Sequence, residues 1–215
     1  MFRLVDLGGR FSWLRRDCFG LSGLPLQPNR QFAVEYLKTA IEGVWVLKPR
    51  VFRDGRGYFM ETYRKEDFDR TVGPVNFVQD NQSCSTRGVL RGLHYQEGEW
   101  SQAKLVRCLQ GRVIDVAVDL RTSSPTFGQH VMQELNEQQG VQLFVPRGFA
   151  HGFIVLSEVA VFVYKVDNVY MPSAERSIVW NDPTIAIPWP LDQVGELNLS
   201  QKDIEGLSWG LAPKF

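Results

Sequence analysis

Arg91, His94, Lys104, His151, Tyr164 and Lys165 each sit in or beside a run of apolar residues of strand type. An unpaired charge is expensive to bury, so side chains of this kind must face a polar cavity or a partner. Either His94 or His151 taken alone reads as a hydrogen-bonded core histidine. The cluster as a whole reads as a lined pocket. A histidine base with its second nitrogen held by a carboxylate, a tyrosine as proton donor, and a lysine or arginine facing a developing oxyanion form a set suited to removing a proton α to a carbonyl. Returning the proton on the other face inverts that carbon. The candidate carboxylate is Asp203, in Leu199-Ser200-Gln201-Lys202-Asp203, although spacing alone does not bring it to His94.

Other chemistries find little support. The third histidine, His130, follows Gly128-Gln129 at an expected strand start, where a surface role is its best reading. There is no HxH or HExxH pair, which argues against a protein-bound transition metal. No serine nucleophile elbow, phosphate-cradling glycine loop or dinucleotide fingerprint is present, so neither metal nor nicotinamide is expected as a cofactor. Cys18, Cys84 and Cys108 are odd in number and widely spaced, which indicates no disulfide framework and suits a reducing cytosol.

The elements that must position these groups are short strands. Segments 44–47, 58–63, 77–79, 89–95, 105–109, 112–120, 131–135, 141–145, 152–156 and 159–166 are β-type runs, separated by turn pairs such as Asp54-Gly55, Gln110-Gly111, Ser124-Pro125 and Gln139-Gly140. In 112–120, Ile114, Val116, Val118 and Leu120 alternate with Asp115 and Asp119, the pattern of a half-buried strand. Strict alternation would place Arg91 and His94 on opposite faces; a bulge at Gly92 would reconcile them. About ten short strands at this spacing predict an all-β sandwich or barrel of the jelly-roll kind. Helix is expected only at 65–70 and after Leu199.

With 24 Lys+Arg against 24 Asp+Glu the net charge is 0, which removes the long-range positive field of a nucleic-acid or anionic-membrane binder. An anionic partner must therefore be met locally, in a cleft. No apolar run approaches the roughly 18 residues of a membrane span. Residues 1–33 differ from the rest: Arg3, Arg10, Arg15, Arg16 and Arg30 are interleaved with Phe2, Phe11, Trp13 and Phe19, without strand or helix periodicity. The expectation is a poorly ordered N-terminal extension, 1–33, before one domain, 34–215. A misassigned upstream start codon would account for its composition.

From about Val34 onward the chain resembles the dTDP-4-dehydrorhamnose 3,5-epimerases, of the cupin-like jelly-roll class. The matching blocks are Phe52-Arg53-Asp54-Gly55-Arg56-Gly57-Tyr58-Phe59-Met60-Glu61, Val78-Gln79-Asp80-Asn81, Arg91-Gly92-Leu93-His94-Tyr95-Gln96, Ala103-Lys104-Leu105-Val106-Arg107, Pro146-Arg147-Gly148-Phe149-Ala150-His151-Gly152-Phe153 and Tyr164-Lys165. Carried over by position, the resemblance implies His94 as base, Asp203 as its dyad partner, Tyr164 as acid on the opposite face of the sugar, and Lys104 against the enolate oxygen. It places Arg56, Glu61, Gln79, Asn81, Arg91, His151, Glu175 and Lys202 among the substrate-binding residues, and Tyr170 on the thymine. It also implies a nucleotide-sugar substrate and a homodimer in which Arg56 and Glu61 act in trans. The stretch Glu97-Gly98-Glu99-Trp100-Ser101-Gln102 departs from the family, where a proline-containing loop is usual, and puts extra carboxylates near an anionic substrate. Two other functions fit the same barrel: a single-position epimerase or ketoisomerase, and a sugar-nucleotide-binding module without catalysis.

Overall fold

The computed structural model describes residues 34–215; the N-terminal extension expected for 1–33 lies outside the described residues. Eight strands build the central barrel: β5 (Gln79–Thr86), β6 (Leu90–Gln96), β7 (Lys104–Gln110), β8 (Arg112–Asp119), β9 (His130–Asn136), β10 (Gln142–Val145), β11 (Phe149–Val155) and β12 (Val159–Val166). One sheet runs β10-β7-β12-β5 and the facing sheet β6-β11-β8-β9, all pairs antiparallel, so the chain passes repeatedly from one sheet to the other. That is jelly-roll connectivity. β1 (Val34–Lys38) and β2 (Trp45–Pro49) extend the first sheet to six strands, and β13 (Glu175–Ser177) extends the second to five. β3 (Phe52–Asp54) and β4 (Gly57–Phe59) form a separate exposed hairpin.

The corner between β7 and β8 shows why the expected turn at Gln110-Gly111 needs glycine. Gly111 has φ +80°, and a Cβ there would lie 2.1 Å from the Val159 carbonyl oxygen and 2.3 Å from Ser157 Oγ. Only a residue without a side chain lets the strand change sheets there.

Three apolar layers result. Between the sheets lie Val106, Val113, Ala117, Leu143, Phe149, Phe153 and Phe162. Outside the five-stranded sheet, Leu90, Leu93, Val116, Val118 and Ile154 are covered by C-terminal residues including Ile178, Trp189 and Ala212. Outside the six-stranded sheet, Phe68 of α1 (Lys65–Thr71) packs on Leu47, Leu105 and Phe144, its ring edge-on to Phe144 at 5.1 Å.

β8 corrects the half-buried reading. Its apolar face does bury Val116 and Val118, but Asp115 and Asp119 on the other face are also 0% exposed. The C-terminal segment covers one side of the sheet, and the second sheet covers the other. Each carboxylate is matched by donors. Asp119 accepts from Arg121 Nη2 at 2.7 Å, Ser124 Oγ at 2.6 Å and Thr126 Oγ1 at 2.7 Å. Burial alone would raise its pKa, yet these donors outweigh it and hold the group down to about 2.

Other boundaries differ from expectation. The run 58–63 is strand only through Phe59, and the run at 77–79 is the entry to a longer strand, β5. Both expected helices form, as α1 and as the one-turn α2 (Gln201–Ile204). No helix among the described residues is long and apolar enough to cross a membrane.

Candidate active site

The site begins with an irregularity in β6. His151 of β11 pairs with His94, and Phe153 pairs with Arg91, so two steps along β11 match three along β6. The extra residue is accommodated at Gly92, where the strands approach so closely that a Cβ would lie 2.7 Å from Gly152 Cα; a Cβ on Gly152 would lie 2.7 Å from the Arg91 carbonyl oxygen. The bulge expected at Gly92 is therefore present, and Arg91 and His94 line one cavity.

That cavity, of about 450 Å³, opens between the two sheets. His94 and His151 enter from the five-stranded sheet, Lys104 and Tyr164 from the six-stranded one, and Gln79 and Asn81 from the edge strand β5. Tyr170, Glu175, Lys202 and Asp203 complete the wall. Residues scattered over more than a hundred positions of sequence thus share one space.

His94 Nε2 lies 2.8 Å from Asp203 Oδ1. The same oxygen accepts the Gly92 N–H at 2.9 Å, and Oδ2 accepts the Ser200 N–H at 2.9 Å and its hydroxyl at 2.5 Å. Asp203 is nearly inaccessible, at 2% exposure. Burial would raise its pKa, but the bonds from His94, Ser200 and Gly92 prevail and hold it down to about 2. An ionised carboxylate only accepts, so the His94 Nε2 carries the hydrogen and the lone pair of the neutral ring sits on Nδ1. That Nδ1 is buried and has no hydrogen-bond partner.

A second histidine–carboxylate pair stands beside the first. His151 Nε2 lies 3.0 and 2.9 Å from the two oxygens of Asp115. Burial pushes the Asp115 carboxyl up, against the pull of His151 and Lys104. Lys104 is itself pushed down to about 8 by burial, with Asp115 and Glu175 opposing. Burial raises the Tyr164 phenol, which Arg91 partly offsets; it therefore holds its proton at neutral pH, as a proton donor must. Arg91 is oriented by bonds from Nη2 and Nε to the buried Ser85 hydroxyl, 3.1 and 3.3 Å.

At the rim, Glu175 Oε2 accepts from Lys202 Nζ at 2.5 Å and from the Tyr170 hydroxyl at 3.0 Å. Burial would raise Glu175, but these two donors outweigh it and the net shift is downward. The acidic 97–102 stretch is partly neutralised, since the Glu97 carboxylate pairs with Arg176.

Two expected residues are not brought to the cavity by their own chain. Arg56 lies in the exposed β3–β4 hairpin and pairs with Asp54 Oδ2 at 2.6 Å; Glu61 pairs with Arg64 at 2.5 Å. His130 was expected at the surface and is half-buried at the start of β9, where burial pulls its pKa down; it does not line the cavity. Sequence reasoning missed Asp115 and Ser200 as site residues. The signal for Asp115 was present, because a carboxylate within Val113-Ile114-Asp115-Val116-Ala117 must find a partner if both faces are covered. Ser200 carried only the spacing of a helix cap.

A jelly-roll barrel with a histidine–carboxylate pair, a tyrosine and a lysine around one cavity is the architecture of a cupin-like isomerase. The chain belongs to the dTDP-4-dehydrorhamnose 3,5-epimerase family, whose model matches residues 38–209. Over 163 residues it is 55% identical to the dTDP-4-dehydrorhamnose 3,5-epimerase of Salmonella typhimurium, covering 75% of this chain and 89% of that one. Among solved structures it is similar to the dTDP-6-deoxy-D-glucose-3,5-epimerase of Legionella pneumophila in complex with dTDP-4-keto-L-rhamnose, with 41% identity, a TM-score of 0.81, and coverage of 85% of this chain and 99% of that one. It is also similar to a 3'-monoepimerase of Streptomyces bikiniensis in complex with dTDP-quinovose, with 34% identity, a TM-score of 0.77, and coverage of 83% and 92%.

Proposed function

We propose that this enzyme inverts C3 and C5 of dTDP-4-dehydro-6-deoxy-D-glucose to give dTDP-4-dehydro-L-rhamnose. The observation that carries the proposal is that His94 on one sheet, paired with Asp203 of α2, and Tyr164 on the facing sheet line one cavity. Both carbons lie α to the C4 ketone, which acidifies their hydrogens, so one base and one acid serve the two positions in turn. His94 takes the proton, the electron pair moves into the enolate, and the Lys104 ammonium stabilises the oxygen. Tyr164 then delivers its proton to the opposite face, and the carbon leaves inverted. Both groups recover their protonation states by exchange with solvent.

Around that centre, Arg91 and His151 hold the sugar, Gln79 and Asn81 offer neutral polar contacts, and Lys202 and Glu175 stand at the mouth toward the nucleotide. Tyr170, half exposed, offers a ring face to the thymine. Arg56 and Glu61 serve the site of a second copy in a homodimer. Cys84 and Cys108 are free thiols, which suits a cytoplasmic enzyme.

Proton NMR of the 4-keto sugar nucleotide in heavy water tests the reading. The expected result is deuterium at both C3 and C5, with turnover of His94→Ala lower by on the order of 10²- to 10⁴-fold, the usual worth of a positioned base. Full activity in that variant would remove His94 from the mechanism. The likeness to the monoepimerase favours one competing reading, inversion at a single carbon, and deuterium at only one position would establish it.

A further inference from the structure

Asp203 has two tasks that are separable in the structure. It orients His94, and it is itself held by three donors from two distant parts of the chain. Gly92, in the β6 bulge, supplies one backbone N–H. Ser200 supplies two, its N–H at 2.9 Å and its hydroxyl at 2.5 Å, both to Oδ2, the oxygen that His94 does not use. Ser200 is the N-cap of α2 and Asp203 the third helical residue, so a cap built for a one-turn helix also clamps the carboxylate behind the base. Ser200 lines the same cavity as His94.

We propose that Ser200 is a positioning residue of this enzyme, acting on His94 through Asp203. A carboxylate held only by His94 and Gly92 through Oδ1 would be free to turn about its Cβ–Cγ bond, and the imidazole plane would turn with it. With Oδ2 fixed by two donors, the plane is set and the Nε2–H tautomer is enforced. The Ser200 hydroxyl also withdraws charge from the carboxylate. Without it Asp203 stabilises the imidazolium more strongly, and the base holds its proton to higher pH.

The inference rests on His94 being the base, so the test separates the two. Four variants are compared with the parent in the heavy-water exchange assay across pH: Ser200→Ala, Ser200→Thr, Asp203→Ala, and Ser200→Ala combined with Asp203→Ala. Circular dichroism and thermal melting establish that each is folded. The expected result for Ser200→Ala is a kcat lower by about tenfold, the scale typical of groups that orient a functional ligand, with KM within about twofold and the acid limb of kcat/KM moved to higher pH. Ser200→Thr, which keeps the hydroxyl, restores both rate and limb. The double variant is no slower than Asp203→Ala alone, because groups acting as a unit are non-additive. An acid limb superimposable on the parent's, or a rate that threonine does not restore, would overturn the assignment and leave Ser200 a helix cap only. If His94→Ala also keeps full activity, the proposed mechanism falls; if it is inactive while Ser200→Ala behaves as the parent, only the role of Ser200 falls.

Discussion

At the scale of single residues, the site works by putting opposed pressures on a few titratable groups. Lys104 is the clearest case. Burial strips water from its ammonium and brings its pKa down to about 8, while Asp115 and Glu175 keep it from falling further. Below that value the side chain is cationic, as the proposed enolate-stabilising role requires; above it the charge is lost. Turnover is therefore expected to decline as pH rises through about 8. Lys104→Met should remove that limb and lower kcat by about 10²- to 10³-fold, the range for loss of one oxyanion-stabilising donor. A pH–rate series on parent and variant checks it, and an unchanged alkaline limb in the variant would assign the limb to another group.

At the scale of elements, two strands carry the design. β6 places Arg91 and His94 together by means of one extra residue, tolerated because Gly92 and Gly152 meet backbone to backbone. Gly152→Ala would force its new methyl to 2.7 Å from the Arg91 carbonyl oxygen. Overpacking of this kind costs about 1–3 kcal/mol, roughly 2–4 °C of Tm for each kcal/mol in a domain of this size. Both Tm and kcat should fall, whereas Gly210→Ala, with nothing within 4 Å of the added Cβ, should change neither. Melting curves and rates on the two variants make the comparison. The same strands show what was legible in sequence. The alternation in β8 and the turn at Gly111 were readable because strand period and glycine conformation are local. β5, with the composition Gln79-Asp80-Asn81-Gln82-Ser83-Cys84-Ser85-Thr86, was nearly invisible, because an edge strand between a polar cavity and the exterior has no apolar stripe. The burial of Asp115 depended on how the second sheet closes over its face of β8, which no local pattern encodes. The His94–Asp203 contact, across 109 positions, was reachable through the family likeness alone.

At the scale of the whole molecule, a single chain assembles eleven of the thirteen expected site residues at its cavity and leaves Arg56 and Glu61 outside it. Supply of these two from a neighbour has a direct test. Arg56→Ala and His94→Ala, each inactive or nearly so alone, should regain activity when mixed and allowed to exchange subunits. A hybrid dimer then holds one site with an intact histidine and an intact arginine. Absence of recovery, with exchange demonstrated by native mass spectrometry, would place Arg56 in cis, and full activity of Arg56→Ala alone would place it outside catalysis. The double use of β8 has a separate outcome for the lineage of such barrels. Because Asp115 serves the reactive chamber and its neighbours Ile114 and Val116 serve the far packing layer, one inserted or deleted residue would turn both surfaces inside out at once. Single side chains along this strand can be exchanged, whereas its register is pinned by two surfaces at once.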